Sequence, residues 1–330
     1  VRRVNIPGIE IGDVLHAVFY DRVVQARMKD TFSEFSTFEY TAPIVHKSLQ
    51  IDAPADCPLR SIELKDEIEG TMTSRREKKG DRIVYRWDAR DVPQLFPEPS
   101  MPPAHMVAQR LLVSTAPDWQ TVSRWYWELS KPHLATNDAI NAKVDELTAD
   151  ADTPAARTQA LFTWVAQQVR YMGITTETTA PGYEPHDVVD TFKQRHGVCR
   201  DKAALLVAML RQAGLEAFPT LIHTGPKKDA EVPQPYFNHA IVAVRTKPSH
   251  YQLMDPTDET TKSLLPSYLN NKSYLVATPE GDRLRTSPII PAEENMVSIR
   301  TTARIAADGT LTGSSTIVFN GINDNAYRGY

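Results

Sequence analysis

Only two cysteines, Cys57 and Cys199, occur among the 330 residues. Neither belongs to a CxxC pair, which excludes a disulfide framework and the common structural zinc and redox motifs. A basic surplus is also missing, since 37 Lys and Arg stand against 41 Asp and Glu for a net charge of -4. That balance argues against binding along a nucleic-acid backbone. Long apolar runs are absent too: the longest, at residues 203–210 and 240–244, fall far short of the roughly 18 to 20 residues a membrane-spanning helix requires. The chain shows no fixed-period repeat, no low-complexity tract, and no charged-then-apolar leader at its start. What remains is 41% hydrophobic and 24% charged residues with a mean hydropathy of -0.38, the composition of a folded globular protein. The length exceeds one ordinary domain and suggests two plus part of a third.

Up to about residue 113 the text is short apolar or alternating runs broken by Pro, Gly, Asp and Ser. Strands are expected at 14–20, 36–40, 44–51, 61–64 and 82–87, the last placing Ile83, Tyr85 and Trp87 on one side. Gly80-Asp81 marks a hairpin turn, and the prolines from Pro93 to Pro103 an extended exit. This predicts a β-sandwich over residues 1–116. Apolar residues then recur three and four apart. One helix carries Trp119, Val122, Trp125, Tyr126 and Leu129 on a single face and ends at Pro132, and a second covers about 137–147. A third starts at Thr153-Pro154, an N-cap followed by proline at the first helical position, with Leu161, Trp164, Val165 and Val169 inward. After a loop at Pro181-Gly182, helices are expected at about 187–194 and 199–213. Strands follow at 217–223, 239–244, 251–254 and 274–277, and residues 224–235 read as an exposed excursion. Helices before strands predict an α+β domain over 117–290. Residues 291–330, with an Asp308-Gly309 turn, read as the beginning of a C-terminal β-rich domain. Both ends are strand-like, which suggests that the outer domains continue in a longer chain.

The stretch with the most chemistry is His196-Gly197-Val198-Cys199-Arg200-Asp201-Lys202, which opens an apolar helix. A cysteine in a first helical turn feels the positive end of the helix dipole and the unpaired N–H groups there, both favouring thiolate. Gly197 permits a tight turn, and the backbone N–H of Cys199 is a candidate oxyanion donor. A lone cysteine is more often a small buried hydrophobe, so a partner is needed. Of nine histidines, His239 stands out, because Asn238-His239-Ala240 opens a buried-looking strand that can aim the ring at a helix N-terminus. The next strand ends in Asp255-Pro256-Thr257, a carboxylate that can orient the imidazole or simply make a turn. Asp201 reads as a capping charge, and Arg200 and Lys202 as groups facing substrate or water.

The run Gly197-Val198-Cys199-Arg200-Asp201-Lys202-Ala203, then Asn238-His239-Ala240, then Asp255-Pro256-Thr257 resembles the transglutaminase-like superfamily with its papain-like Cys, His, Asp order. The upstream segments Val169-Arg170-Tyr171-Met172-Gly173-Ile174 and Gly182-Tyr183-Glu184-Pro185-His186 resemble a bacterial subgroup in which an uncharacterised β-rich domain precedes that core. The resemblance implies Cys199 as nucleophile, His239 as general base and acid, and Asp255 as the orienting carboxylate. It makes Tyr171, with Trp164 behind it, a candidate second oxyanion donor. It further implies cysteine-dependent acyl transfer on peptide or protein amide bonds through a thioester; the motif leaves hydrolysis and transamidation both open, and a peptidase or amidase is preferred over a transglutaminase for an exported protein. No cofactor or metal is expected. An exported, periplasmic or cell-envelope setting is implied, with envelope peptides or proteins as substrates. The subgroup more often carries Asp before the cysteine and Lys after it; Val198 and Arg200 stand there here, which alters the charge at the site mouth. Two alternatives are a non-catalytic peptide- or protein-binding module on the same fold, and a zinc site built from Cys199, His239 and Asp255.

Overall fold

A computed structural model describes residues 5–24, 26–172, 182–261 and 263–328. Gly173, Ile174 and Pro181, singled out above, lie outside the described residues. The N-terminal half is two antiparallel three-stranded sheets. One pairs β1 (Ser33–Thr37), β6 (Arg110–Ser114) and β3 (Ser61–Lys65), and the other β2 (Ile44–Pro54), β5 (Arg82–Val92) and β4 (Met72–Lys79). Gly80, at φ +62°, turns the β4–β5 hairpin, a conformation that costs glycine little. Period-2 alternation then drives Ile83, Tyr85 and Trp87 inward against Leu111 and Val113 of the other sheet, with Phe38 between them. A short helix, α1 (Ala104–Val107), precedes β6.

The strand expected at 14–20 does not form. The described residues before Met28 lie exposed with no strand partner, and a backbone run without a neighbouring ladder has nothing to hold it extended. Conversely β4, whose SRREKK text is nearly all charged, was not recognised. Its strand state comes from pairing with β5, with most of its side chains in solvent.

The core half begins with three capped helices, α2 (Trp119–Ser130), α3 (Asp138–Thr148) and α4 (Pro154–Gln168). Asp118, Asn137 and Thr153 each accept the backbone N–H three residues on, at 2.7, 3.0 and 3.1 Å. The two-residue strands β7 (Arg170–Tyr171) and β8 (His196–Gly197) then pair in parallel around α5 (Val188–Gln194). Next comes α6 (Cys199–Gln212), buried on every side along residues 201–210. An antiparallel five-stranded sheet follows in the order β11 (His250–Met254), β10 (His239–Lys247), β9 (Ala217–Ile222), β12 (Ser273–Val276), β13 (Arg285–Thr286). Ala240, Val242 and Val244 of β10 share one buried cluster with residues of α6, α4 and α3, while Ile241 and Ala243 share the other with residues of α2. The sheet is thus covered on both faces, which explains why its strands read as continuous apolar runs. The chain closes with an exposed hairpin, β14 (Val297–Ile305) and β15 (Leu311–Phe319), and the short helix α7 (Ile322–Arg328).

Residues 224–235 are not an exposed excursion. Residues 232–235 are buried, and the loop grips the N-terminal half. Glu231 pairs with Lys65 at 2.8 Å, Asp229 with Arg110 at 3.6 Å, and the Ala230 carbonyl accepts the Trp119 indole N–H at 2.6 Å. The side chains of Gln234 and Tyr236 donate to the carbonyls of Glu34 and Ser33. Its polar composition suggested solvent, but each of these groups finds a partner on an element remote in sequence.

Leu206, fully buried at the centre of α6, should cost about 2–5 kcal/mol on truncation to Ala. Ile299→Ala on the exposed hairpin should stay within about 0.5 kcal/mol. Urea unfolding followed by tryptophan fluorescence checks both, and equal losses would mean that the hairpin is part of the core.

Candidate active site

Cys199 is the first residue of α6, and the helix reaches the site because its first turn is anchored from two directions. Asp201, 3% exposed, accepts the Val198 N–H at 3.0 Å through one carboxylate oxygen and the His186 N–H at 3.0 Å through the other, with His186 Nδ1 at 3.1 Å. The capping role read from the sequence therefore holds, and it also ties the 182–187 loop to the helix. Gly197 is required for a reason sterics supply: a Cβ there would sit 2.7 Å from the Asp201 Cβ. His133 steadies the same loop from behind, its two ring nitrogens on Asp187 and Glu184 at 2.7 and 3.0 Å.

Lys202 does not face substrate or water. It is 0% exposed, and its ammonium donates to the carbonyls of Ala166, at 3.1 Å, and Val169, closing the C-terminal end of α4. Burial pulls its pKa down to about 8, against the charges of Glu259, Asp255 and Asp258. Two residues on from Arg200, which lines the cleft, the helix has turned this side chain into the core.

His239 is the first residue of β10, whose partner β11 ends at Met254, directly before Asp255. His239 Nε2 meets Asp255 Oδ2 at 2.8 Å, and the ring also hydrogen-bonds the Cys199 side chain. Asp255 is completely buried, and its other partners fix it in place. Thr257 donates its N–H and hydroxyl at 3.0 and 2.8 Å, and the Tyr268 hydroxyl donates at 2.9 Å. Burial opposes every charge in this chain of three. The hydrogen bonds and mutual attraction nevertheless win: His239 is held well above an ordinary imidazole, while Asp255 and Cys199 are held below an ordinary carboxyl and thiol. The backbone N–H groups of Ala240 and Arg200 also favour the thiolate. Both shifts favour a thiolate beside an imidazolium.

Tyr171 reaches the same sulfur. The β7–β8 pairing sets it beside Gly197, its own N–H donates to Glu259 at 2.9 Å, and its phenol hydrogen-bonds Cys199. Burial first, then the nearby negative charges of Cys199 and Asp255, raise its pKa and keep it a donor. The Trp164 ring stacks on Phe192 under the Arg195 guanidinium. Cys57 lies apart, its thiol 3.9 Å from the Asp30 carbonyl. Among the described residues no group of three or more His, Cys, Asp or Glu is arranged to hold a metal ion; Cys199, His239 and Asp255 form a relay with the ring in the middle.

The sulfur and ring open onto a cleft of about 270 Å³ whose lining includes Arg27, Tyr126, Tyr183, Arg200 and Phe237. Thr257, Tyr268 and Arg27 had been given no role from the sequence. The Asp-Pro-Thr turn offered a cue for the first, because a threonine two residues after an aspartate commonly bonds it. Tyr268 and Arg27 arrive from loops with no local pattern to reveal them.

A helix-start cysteine, a strand-start histidine and a buried carboxylate following the adjacent strand, in that chain order on an α+β frame, define a papain-like thiol site in architecture. Residues 141–256, which contain all three, match the family model of the transglutaminase-like superfamily, and residues 1–96 match that of a domain of unknown function, DUF3857. The chain therefore carries a transglutaminase-like core domain behind a DUF3857 domain. It is similar in fold to a candidate protease from Parabacteroides distasonis, at TM-score 0.55 and 15% identity over 84% of this chain and 54% of that one. The chain thus spans about half the length of that relative. Weaker likenesses are to a candidate cysteine protease from Cytophaga hutchinsonii (TM-score 0.30, 14% identity, 72% of this chain and 80% of that) and to the periplasmic domain of TgpA from Pseudomonas aeruginosa (TM-score 0.28, 19% identity, 64% and 69%). No protein of curated function matches the sequence. No helix among the described residues is long and apolar enough to cross a membrane.

Alkylation by iodoacetamide, read by peptide mass spectrometry across the pH range, tests the ion pair directly. Because the Cys199 pKa is lowered, its reaction should begin below the value of about 8.5 expected of a free thiol. In His239→Ala the acid limb should return toward that value, with at least about a tenfold loss of rate at pH 6. Superimposable Cys199 profiles in the two proteins would sink the assignment.

Proposed function

We propose that the chain is a cysteine-dependent acyl-transfer enzyme that cleaves peptide or protein amide bonds. The observation that carries this reading is the Cys199–His239–Asp255 relay, anchored on a buried carboxylate and opening onto a cleft. The thiolate attacks the amide carbonyl carbon, forming the S–C bond. The resulting oxyanion is within the province of the Cys199 backbone N–H at the helix start, with the Tyr171 phenol as the candidate second donor. The His239 imidazolium gives its proton to the leaving nitrogen as the C–N bond breaks, leaving a thioester and a neutral ring. The ring then takes a proton from water, whose oxygen displaces the sulfur and releases a carboxylic acid. Asp255 holds the ring in one tautomer and stabilises its charge throughout, and Thr257 and Tyr268 position Asp255.

The acceptor is water in this reading. Among the described residues the cationic side chains lining the cleft are Arg27, Arg200 and His239, and no carboxylate lines it. A lysine amine, the acceptor of a transglutaminase, arrives protonated and is repelled by them. Substrates in the cell envelope, outside the cytoplasm, are our extension of this reading and rest on the family resemblance.

Incubation with a proteome-derived peptide library, read by mass spectrometry, should yield new free carboxyl ends. Cys199→Ala should abolish them, a loss of at least about 10³-fold, without changing the thermal midpoint by more than a few degrees. The kcat/KM profile should be a plateau bounded by the lowered Cys199 pKa on the acid side and the raised His239 pKa on the alkaline side. Asp255→Asn removes the charge that raises the latter, so the alkaline limb should move to lower pH. A Cys199→Ala protein that folds and still cleaves refutes the proposal. A wild type that captures peptides without cleaving them points instead to a binding module.

A further inference from the structure

The cleft beside Cys199 is not built from the transglutaminase-like core alone. Arg27, from the segment ahead of β1, lines it together with Cys199 and His239. The neighbouring residue Met28 is buried in the core shared by α2, Phe237 and the sheet, which pins this segment at the cleft. The Arg27 guanidinium lies 5.0 Å from the Tyr183 ring centre and 5.1 Å from that of Tyr236, with Nη1 3.3 Å from the Tyr183 hydroxyl. Both rings are themselves fixed. The Tyr183 hydroxyl accepts the Phe237 N–H at 2.8 Å and donates to the Phe237 carbonyl at 2.5 Å, while the Tyr236 hydroxyl donates to the Ser33 carbonyl at 3.1 Å.

A guanidinium stacked on aromatic rings keeps its in-plane N–H groups available, and the geometry of that fork matches a carboxylate. Among the described residues no carboxylate pairs with Arg27. The nearest acidic group in the adjoining cavity, Glu184, is engaged by His133. Arg200, on the same lining, donates to the Gly182 carbonyl at 3.0 Å and lies 3.9 Å from Asp201 Oδ1, so Arg27 is the cation on which anion attraction rests. The Arg27 cation, on a lining that holds no carboxylate among the described residues and is walled by aromatic and apolar side chains, attracts and orients an anion.

We infer that this cleft selects peptides carrying a free carboxylate close to the scissile amide, such as a terminal carboxylate or the α-carboxylate of a side-chain-linked residue, and that Arg27 is its principal ligand. This deepens the proposed function and rests on it. The N-terminal region is then part of the substrate site, supplying the residue that reads the charge next to the bond the core cleaves.

The test uses two probes of nearly the same shape, bromoacetylglycine and bromoacetylglycinamide, and reads the rate at which each modifies Cys199 in the full chain. In both, the thiolate carbon–sulfur bond forms as bromide leaves, so only the remote carboxylate differs. The charged probe should react about tenfold faster than the neutral one in the wild type, and the ratio should shrink as salt is raised. Because the His239 imidazolium also attracts anions, the decisive comparison is Arg27→Gln, in which the ratio should fall by about fivefold or more, with Arg27→Lys recovering part of it. A second measurement needs no variant: N-acetylglycine, and not N-acetylglycinamide, should slow iodoacetamide alkylation of Cys199. Equal rates for the two probes in the wild type, or an unchanged ratio in Arg27→Gln, overturn the inference while Cys199 remains a reactive thiolate. A Cys199 inert to every probe overturns the enzyme reading and this inference together.

Discussion

The structure turns on a single helix that has no exposed flank. Residues 201–210 of α6 are buried all round, so its N-terminus cannot drift relative to the sheet, and the sulfur of Cys199 is delivered to the start of β10. A thiolate and an imidazolium in such surroundings are stable only as a pair. The carboxylate of Asp255, itself completely buried with four hydrogen bonds to three residues, makes the pair tolerable. Much else follows from protecting that arrangement. Asp201 caps the helix and holds the loop that carries Tyr183, Lys202 closes the end of α4, and the β7–β8 pairing carries Tyr171 to the sulfur.

The two halves of the chain are joined by more than a linker. The 224–235 loop grips the first sheet through Lys65, Arg110 and backbone carbonyls, and the segment around Met28 returns the contact by entering the core of the second half. The shared aromatic cluster of Tyr183, Tyr236 and Phe237 lies where these contacts meet the cleft. The N-terminal region is thus joined to the cleft wall, since Arg27 rests on Tyr183 and Tyr236 and Tyr236 is bonded to Ser33 of the first sheet.

Local patterns carried a large share of the fold. Thr153-Pro154 announced a helix because a side chain three residues from its backbone partner is a local interaction, independent of what packs nearby. Ile83, Tyr85 and Trp87 announced a buried strand face through alternation alone. Where the pattern misled, tertiary pairing had overruled composition: the charged β4 is a strand because β5 supplies its ladder, and the apolar run at 14–20 is not, for want of one. The polar 224–235 loop is half-buried because its charges meet partners on another domain.

At the candidate site the same division holds. The order Cys199, His239, Asp255 and the elements that begin or end at each were legible from the chain, because a helix start, a strand start and a strand end are set by neighbouring residues. Which groups converge on them was decided in three dimensions. Tyr268 on Asp255, His186 on Asp201, Lys202 beneath α4 and Arg27 over Tyr183 are meetings of side chains far apart in sequence. A hydrogen bond between such residues depends on distance in space and direction, and neither is written in the order of the residues until the sheet, the buried helix and the sandwich have closed around them.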